Sequence, residues 1–259
     1  LPGEGVGNIL LPVEIVRFCR RVVKELKAYQ ATDDEDKDFE YWDHVSSARE
    51  AYRARIRLGV DGAEEPLAFS ELEKTLDLFS NKVDRGITRA LELNGGLPPT
   101  YFIFRLEEYD LLKDKQNHQL YDPEGHPHIL AKGFSPTPLP LFLEGMVRAM
   151  RGMDFVSAEN LYNQVKASPL YDRKLKMYKL NASLEAMPKD IGRVRAFPPG
   201  WLENESIWLH MEYKYLLEVL QAGLFKFFFE DFKNILIPFL DPKQYGRSIL
   251  ENSSFLVSS

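Results

Sequence analysis

The chain has 259 residues, of which 44% are hydrophobic and 28% charged, with 33 basic and 39 acidic side chains and a net charge of -6. This composition can bury a sizeable core, and its acidic balance lacks the electrostatic footprint of a nucleic-acid-binding protein. Cys19 is the only cysteine, which excludes an intrachain disulfide and a cysteine metal cluster and favours an intracellular, cytoplasmic protein. No apolar run of about 18 residues is present, so we expect no membrane span.

The two ends of the chain suggest a piece of a larger protein. It begins at Leu1 and closes on the apolar and small residues of LENSSFLVSS. We therefore expect the missing N-terminal and C-terminal regions of the same protein as partners. Near the start, GEGVGN has the glycines of a phosphate-binding loop but lacks the full spacing, a preceding strand and a Lys-Ser/Thr pair. We interpret residues 1–12 as an ordinary loop.

The next segment contains the first candidate site. Apolar residues at helical spacing predict an amphipathic helix over residues 13–29, and the acidic run over residues 32–40 predicts a solvated loop. This run leads into the sequence YWDH and a helix predicted over residues 45–57. Asp43 has two interpretations at this point. It is the N-cap of that helix, or it is a general acid beside Trp42, which would stack on a sugar.

The middle of the chain changes character. A turn over residues 61–66 precedes a long helix over residues 70–93, which an Asn-Gly-Gly sequence ends. Residues 97–132 are rich in aromatic and β-prone residues and predict a small hairpin or an ordered insertion. Three histidines lie in this insertion without the spacing of a zinc site, so we interpret them as surface residues and expect no metal: His118, His126 and His128.

The helical pattern resumes after the insertion. We predict helices over residues 139–150, 157–166, 206–221 and 225–239 from the spacing of their apolar residues. The helix over 206–221 is apolar on nearly all sides, which predicts burial on most of its faces. Successive helices with few strands indicate a mainly α-helical array whose function lies on its loops.

The sequence RAFPPGWLENESIWLH, which precedes the helix over 206–221, is the second candidate site. Its Pro-Pro-Gly turn cannot continue a helix. Polar and aromatic side chains then cluster at the start of the helix, which suits a sugar-like ligand. The alternative is that the aromatic residues are core and the glutamate only caps the helix. The clustered residues are Trp201, Glu203, Asn204, Glu205, Trp208 and His210.

This second segment resembles a motif of the cellobiose-phosphorylase-like enzymes, a group of inverting sugar phosphorylases with an (α/α)6 barrel. Their proline-glycine turn, Glu-Asn-Gly sequence and later histidine are similar to Pro199-Gly200, Glu203-Asn204 and His210, with Glu205 in place of the last glycine. Upstream, Trp42-Asp43 followed by Arg49 resembles the family's general acid and phosphate-binding arginine. The family's usual asparagine between the tryptophan and the aspartate is missing here.

The resemblance implies that residues 1–259 belong to one catalytic (α/α)6-barrel domain, incomplete here, with a small β insertion at about 97–132. It implies cleavage of a disaccharide or oligosaccharide by phosphorolysis with inversion. Inorganic phosphate would be the nucleophile and co-substrate, and no other cofactor is expected. Asp43 would be the general acid and Arg49 would bind phosphate. The expected sugar contacts come from the remaining site residues: Trp42, Trp201, Glu203, Asn204 and His210.

Two alternatives remain open. In an inverting glycoside hydrolase, Glu203 would be the base that activates water. In a non-catalytic protein, the chain would be a helical scaffold or a carbohydrate-binding fragment. The resemblance covers the catalytic barrel only, and the sequence contains no histidine after His210 to match the family's phosphate-binding one.

Overall fold

The computed structural model describes residues 7–33, 37–236, 239–245 and 255–256. The protein is mainly helical in these residues, with small two-stranded sheets, and no helix among them has the length and apolar character to span a membrane. The chain divides into two compact units. The first unit comprises Leu1–Gly86 and Arg105–Ser135, and the second unit comprises Ile87–Phe104 and Pro136–Ser259.

The first unit begins with two strands and two helices: β1 (Asn8–Pro12), α1 (Val13–Ala31), α2 (Lys37–Ile56) and β2 (Glu64–Ala68). The strands pair antiparallel, with Asn8 opposite Ala68 and Pro12 opposite Glu64. The predictions of a loop over 1–12 and a turn over 61–66 are therefore wrong for the residues in these strands. Each strand has only five residues, and neither shows a periodicity of its own that is long enough to predict it.

Helix α2 begins earlier than the sequence predicts. Lys37 is its first residue, so the loop predicted over residues 32–40 is wrong from Lys37 onward. Asp38 and Glu40 lie in the first turn of the helix, where the positive end of the helix dipole favours carboxylates. Asp43 lies in the second turn. The interpretation of Asp43 as an N-cap is therefore also wrong.

Two paired strands are present in the segment predicted over residues 97–132, but the second strand ends later than predicted, at Pro138. Helix α3 (Phe69–Leu93) is followed by strands β3 (Phe102–Leu111) and β4 (Ile129–Pro138), which pair in a two-stranded sheet. The helix ends where the sequence predicts, because Gly96 adopts φ 92° and its N–H donates to the Leu91 carbonyl at 2.8 Å.

The second unit contains the largest buried core. Its helices are α4 (Leu143–Met150), α5 (Phe155–Ala167), α6 (Leu209–Gln221), α7 (Phe225–Phe232) and α8 (Pro242–Tyr245). Short strands β5 (Tyr171–Asp172) and β6 (Met177–Tyr178) pair with each other, and β7 (Ile207–Trp208) pairs with β8 (Phe255–Leu256). The helices predicted over residues 139–150 and 225–239 are longer than the observed α4 and α7. The chain is still extended at Phe142 before α4, and a 3-10 turn (Lys233–Ile235) follows α7 before the predicted end at 239.

Helix α6 buries one face rather than most of its surface. Tyr215, Leu216 and Val219 are at most 1% exposed and pack in the core with side chains of α4 and α5. Tyr213 and Leu217 are 45% and 46% exposed. The prediction of a helix buried on most sides is therefore wrong, because these two apolar residues lie on the outer face of an amphipathic helix.

Gly145 marks a close approach within the second unit. A Cβ at this position would clash with Thr100 Oγ1 and lie 3.2 Å from the Pro98 carbonyl oxygen. We expect Gly145→Ala to lower the free energy of unfolding by about 1–3 kcal/mol, because the segment at 98–100 would have to move. Urea unfolding measures the change. The matched control is Gly86→Ala in α3, where nothing lies within 4 Å of the added methyl group, and which we expect to be neutral or stabilising. Equal effects of the two substitutions would contradict the prediction.

Candidate functional site

The strongest candidate site is the surface loop over residues 197–208 in the second unit, called here the Glu203 loop. It follows the 3-10 turn Arg193–Ala196 and leads directly into α6. Gly200 turns the chain with φ 80°, and its N–H donates to the Asn204 carbonyl at 2.7 Å. The Asn204 N–H donates to the Trp201 carbonyl at 3.1 Å. These bonds close a tight turn that presents the intervening residues at the surface.

Asn204 fixes the loop from the inside. It is 1% exposed, and its Nδ2 donates to the Phe197 carbonyl at 2.8 Å while its Oδ1 accepts from the Leu184 N–H at 3.4 Å. Both the donor and the acceptor of the side-chain amide are therefore hydrogen-bonded to the backbone. These two bonds hold the turn together, and the sugar contact predicted for Asn204 stays a prediction.

Glu203 faces a cation that the sequence motif does not contain. Its Oε1 accepts a hydrogen bond from an Arg193 guanidinium nitrogen at 2.6 Å. The Glu203 side chain is 18% exposed, the Arg193 side chain is 78% exposed, and Trp201 is 46% exposed. The loop therefore presents a carboxylate, a guanidinium group and an indole ring. A carboxylate accepts bonds from hydroxyl groups, and a guanidinium group donates to hydroxyl, phosphate or carboxylate oxygens.

Glu205 stands where the resemblance expects glycine, and it adopts a glycine-like backbone with φ 59°. This conformation costs a non-glycine residue about 1–2 kcal/mol. Two contacts hold it in place. Its N–H donates to Asn181 Oδ1 at 3.2 Å, and its carboxylate accepts from Lys179 Nζ at 3.0 Å. These contacts hold the turn with a glutamate at position 205, and Lys179 offsets its negative charge.

Trp208 and His210 lie at the junction of the loop and α6. The Trp208 indole nitrogen donates to the Leu202 carbonyl at 3.0 Å and to Ser206 Oγ at 2.9 Å. His210 is exposed, and its ring centroid lies 5.3 Å from that of Trp208. Trp208 therefore fixes the end of the loop, and the imidazole of His210 remains accessible to a ligand at the start of the helix.

The other predicted site residues lie on α2 in the first unit. Trp42 and Asp43 are exposed, and the Trp42 ring packs 5.7 Å from the ring of Phe134. Arg49 donates to Glu50 at 3.1 Å. Residues six apart in a continuous helix point about 120° apart around its axis and lie about 9 Å apart along it. The structure therefore does not place Asp43 and Arg49 on one face of α2, and their predicted roles stay predictions.

Sequence reasoning missed a buried polar cluster in the second unit, called here the Asp231 cluster: Tyr162, Lys166, Tyr178 and Asp231. Asp231 is 1% exposed, and its carboxylate accepts hydrogen bonds from Tyr162 Oη at 2.8 Å and Tyr178 Oη at 2.6 Å. Lys166 forms an ion pair with it. Burial, together with the Asp231 charge, raises the pKa of both tyrosines far above the ordinary value, so their hydroxyl groups remain donors.

The histidines of the hairpin segment pair with carboxylates close in sequence. His118 Nδ1 lies 3.4 Å from Asp114, and His126 Nδ1 lies 3.0 Å from Asp122. Across the residues that the structure describes, no group of three or more histidine, cysteine, aspartate or glutamate side chains could hold a metal ion.

No protein-family model matches the chain, and no curated protein matches its sequence.

Proposed function

We propose that the chain is part of a carbohydrate-active (α/α)6-barrel domain that cleaves a glycosidic bond by phosphorolysis with inversion, in the cytoplasm. The observation that supports this most directly is the Arg193–Glu203 pair, with a 2.6 Å hydrogen bond, beside the half-exposed ring of Trp201. Such a loop suits a sugar, because an indole packs against the apolar face of the ring while charged groups bind its hydroxyls.

The charges of the loop are compatible with an incoming phosphate. Two carboxylates near a phosphate dianion would repel it if their charges were not offset. Arg193 offsets Glu203, and Lys179 offsets Glu205 at 3.0 Å. The exposed guanidinium group of Arg193 is also a suitable donor to phosphate oxygens. This balance supports phosphorolysis over the alternative, in which Glu203 activates water.

The test of this proposal measures sugar release from a panel of β-linked disaccharides, with and without inorganic phosphate. We expect a sugar 1-phosphate that forms only when phosphate is present. Glu203→Gln should lower the rate by about 100-fold or more, because the amide loses the charge that binds or orients the reacting groups. The matched control is Glu185→Gln, an exposed glutamate outside the Glu203 loop, which should leave the rate unchanged.

Two results would overturn the phosphorolysis proposal. Free sugar released at the same rate without phosphate would make the protein a hydrolase with Glu203 as the leading candidate for the base. Sugar binding that depends on Trp201 without any turnover would make the chain a carbohydrate-binding scaffold.

Asp43 is tested separately in the same assay. We propose that it donates the proton to the leaving oxygen, so Asp43→Asn should lower turnover by about 100- to 10,000-fold. The substitution should leave the fold intact, because Asp43 is exposed on α2. Asp77→Asn, an exposed aspartate of α3, is the control. Turnover close to that of the native protein would exclude Asp43 as the acid.

A further inference from the structure

The first unit contains a small pocket between α1 and α2 that is separate from the Glu203 loop. Its volume is about 250 Å³. Two residues with short side chains, Ala48 and Ala51, line it on α2. The larger residues that line it are Glu14, Arg17, Phe18, Arg21, Tyr52 and Arg55.

Glu14 supplies a buried carboxylate whose hydrogen-bonding capacity is unused. Its side chain is 5% exposed, and neither carboxylate oxygen accepts a hydrogen bond from the described residues. Glu14 forms an ion pair with Arg55, whose Nη2 lies 3.2 Å from Glu14 Oε1 and donates its hydrogen bond to Asp61 at 2.7 Å. Glu14 lies in the first turn of α1, where the positive end of the helix dipole favours a negative charge. Its two oxygens nevertheless lack hydrogen-bond donors among the described residues. A ligand with hydroxyl groups would supply them.

Arg17 and Arg21 provide positive charge at the mouth of the same pocket. They are both exposed and lie one turn apart on α1, so their charges repel each other. Within the described part of the chain, neither of them forms an ion pair. Arg20, by contrast, pairs with Glu65 and Glu71. An anion placed between Arg17 and Arg21 would remove their repulsion.

The pocket also offers an apolar surface. Phe18 and Tyr52 stack with their ring centroids 4.7 Å apart, and both rings line the pocket. Drug-sized ligands occupy pockets of roughly 300–1,000 Å³, so a volume of about 250 Å³ suits a ligand with a single ring. The three features together describe one kind of molecule, which is anionic at one end and hydroxylated along a ring.

We propose that this pocket binds a small hydroxylated anion of the sugar phosphate class. The phosphate lies between Arg17 and Arg21, a hydroxyl group donates to Glu14, and the ring packs against Phe18 and Tyr52. Inorganic phosphate can bind only the two arginines, and the negative charge of Glu14 repels it. A neutral sugar satisfies Glu14 but leaves the arginines without an anion. The site is independent of the function proposed for the Glu203 loop.

Isothermal titration calorimetry with glucose 6-phosphate, glucose and inorganic phosphate tests the proposal. We expect glucose 6-phosphate to bind at least ten times more tightly than either of the other two. Arg17→Gln should weaken its binding about tenfold or more, because a charge-assisted bond to phosphate is lost. The matched control is Arg53→Gln, an exposed arginine of α2 outside the pocket, which should change the affinity less than twofold.

Glu14→Gln distinguishes a hydroxylated anion from a simple one. The amide loses the charged acceptor, so glucose 6-phosphate should bind several-fold more weakly. Inorganic phosphate should bind equally well or more tightly, because a repulsive charge is gone. Three results would overturn the proposal: no binding of glucose 6-phosphate at millimolar concentration, equal losses in Arg17→Gln and Arg53→Gln, or tighter binding of both ligands in Glu14→Gln. Thermal unfolding of each variant checks that it is folded.

Discussion

Asp231→Asn is expected to lower the free energy of unfolding by about 3 kcal/mol or more, as is typical when one partner of a buried ion pair is removed. Asp231 is 1% exposed, and its carboxylate accepts bonds from Tyr162 and Tyr178 and pairs with Lys166. The asparagine has nearly the same shape. It lacks the charge, and its amide group faces hydroxyl and ammonium donors where an acceptor is needed. Urea unfolding monitored by circular dichroism measures the loss.

The neighbouring residue provides the control for this prediction. Glu230 is exposed on the same helix, so Glu230→Gln should change the free energy of unfolding by no more than about 0.5 kcal/mol. Tyr162→Phe removes one donor and keeps the ion pair, and should cost about 1 kcal/mol. If Asp231→Asn were no more destabilising than Glu230→Gln, the Asp231 cluster would contribute nothing to the stability of the second unit.

The Asp231 cluster shows which part of the structure the sequence could not predict. Tyr162 and Asp231 are 69 positions apart, and Tyr178 and Asp231 are 53 positions apart. Each residue taken alone looks ordinary, since tyrosine is common in cores and aspartate is common on surfaces. Only the packing of α5, β6 and α7 brings them together.

The helices were predicted well where a local signal defines them. The C-terminus of α3 follows from its Asn-Gly-Gly sequence, because Gly95 and Gly96 adopt positive φ angles that favour glycine. Composition was a poorer guide at α2. Its acidic first turn was interpreted as a loop, although carboxylates at that end of a helix are stabilising. Strands β1 and β2 pair across more than 50 residues, which no local pattern could indicate.

The sequence identified the segment of the Glu203 loop, but it did not predict the hydrogen bonds within the loop. The Pro-Pro-Gly turn and the following polar residues identified the segment, and the turn at Gly200 has the expected geometry. The partners of its charges lie outside the motif, at Arg193 and Lys179. Arg193 is ten positions from Glu203, and only the folded 3-10 turn brings its guanidinium group to the carboxylate.

We expect Glu212 to make the free energy of unfolding depend on pH. This glutamate of α6 is fully buried, and its Oε1 accepts from the Tyr178 N–H at 3.0 Å. Its Oε2 accepts no hydrogen bond from the residues that the structure describes. Burial raises the pKa of Glu212 well above the ordinary value of 4.5, and the nearby Asp231 charge adds to the increase. The folded protein therefore holds a proton that the unfolded chain releases.

The sign of the pH dependence follows from this difference in bound protons. Well below pH 4.5 both states are protonated at this site, and Glu212 contributes no slope. As the pH rises above 4.5, the unfolded state loses its proton first, and the free energy of unfolding falls by up to about 1.4 kcal/mol per pH unit. The fall continues until the pH passes the raised pKa of the folded state.

Glu212→Gln isolates this contribution. The glutamine keeps an acceptor for the Tyr178 N–H and does not titrate, so the difference in unfolding free energy between variant and native protein should grow in the variant's favour as the pH rises. Urea unfolding at several values from pH 4.5 upward measures it, with Glu230→Gln as the exposed control that should follow the native curve. Parallel curves for the native protein and Glu212→Gln would mean that the folded state does not retain this proton. The buried carboxylate would then be ionised in the core, where it would require a hydrogen-bonding partner such as a buried water molecule.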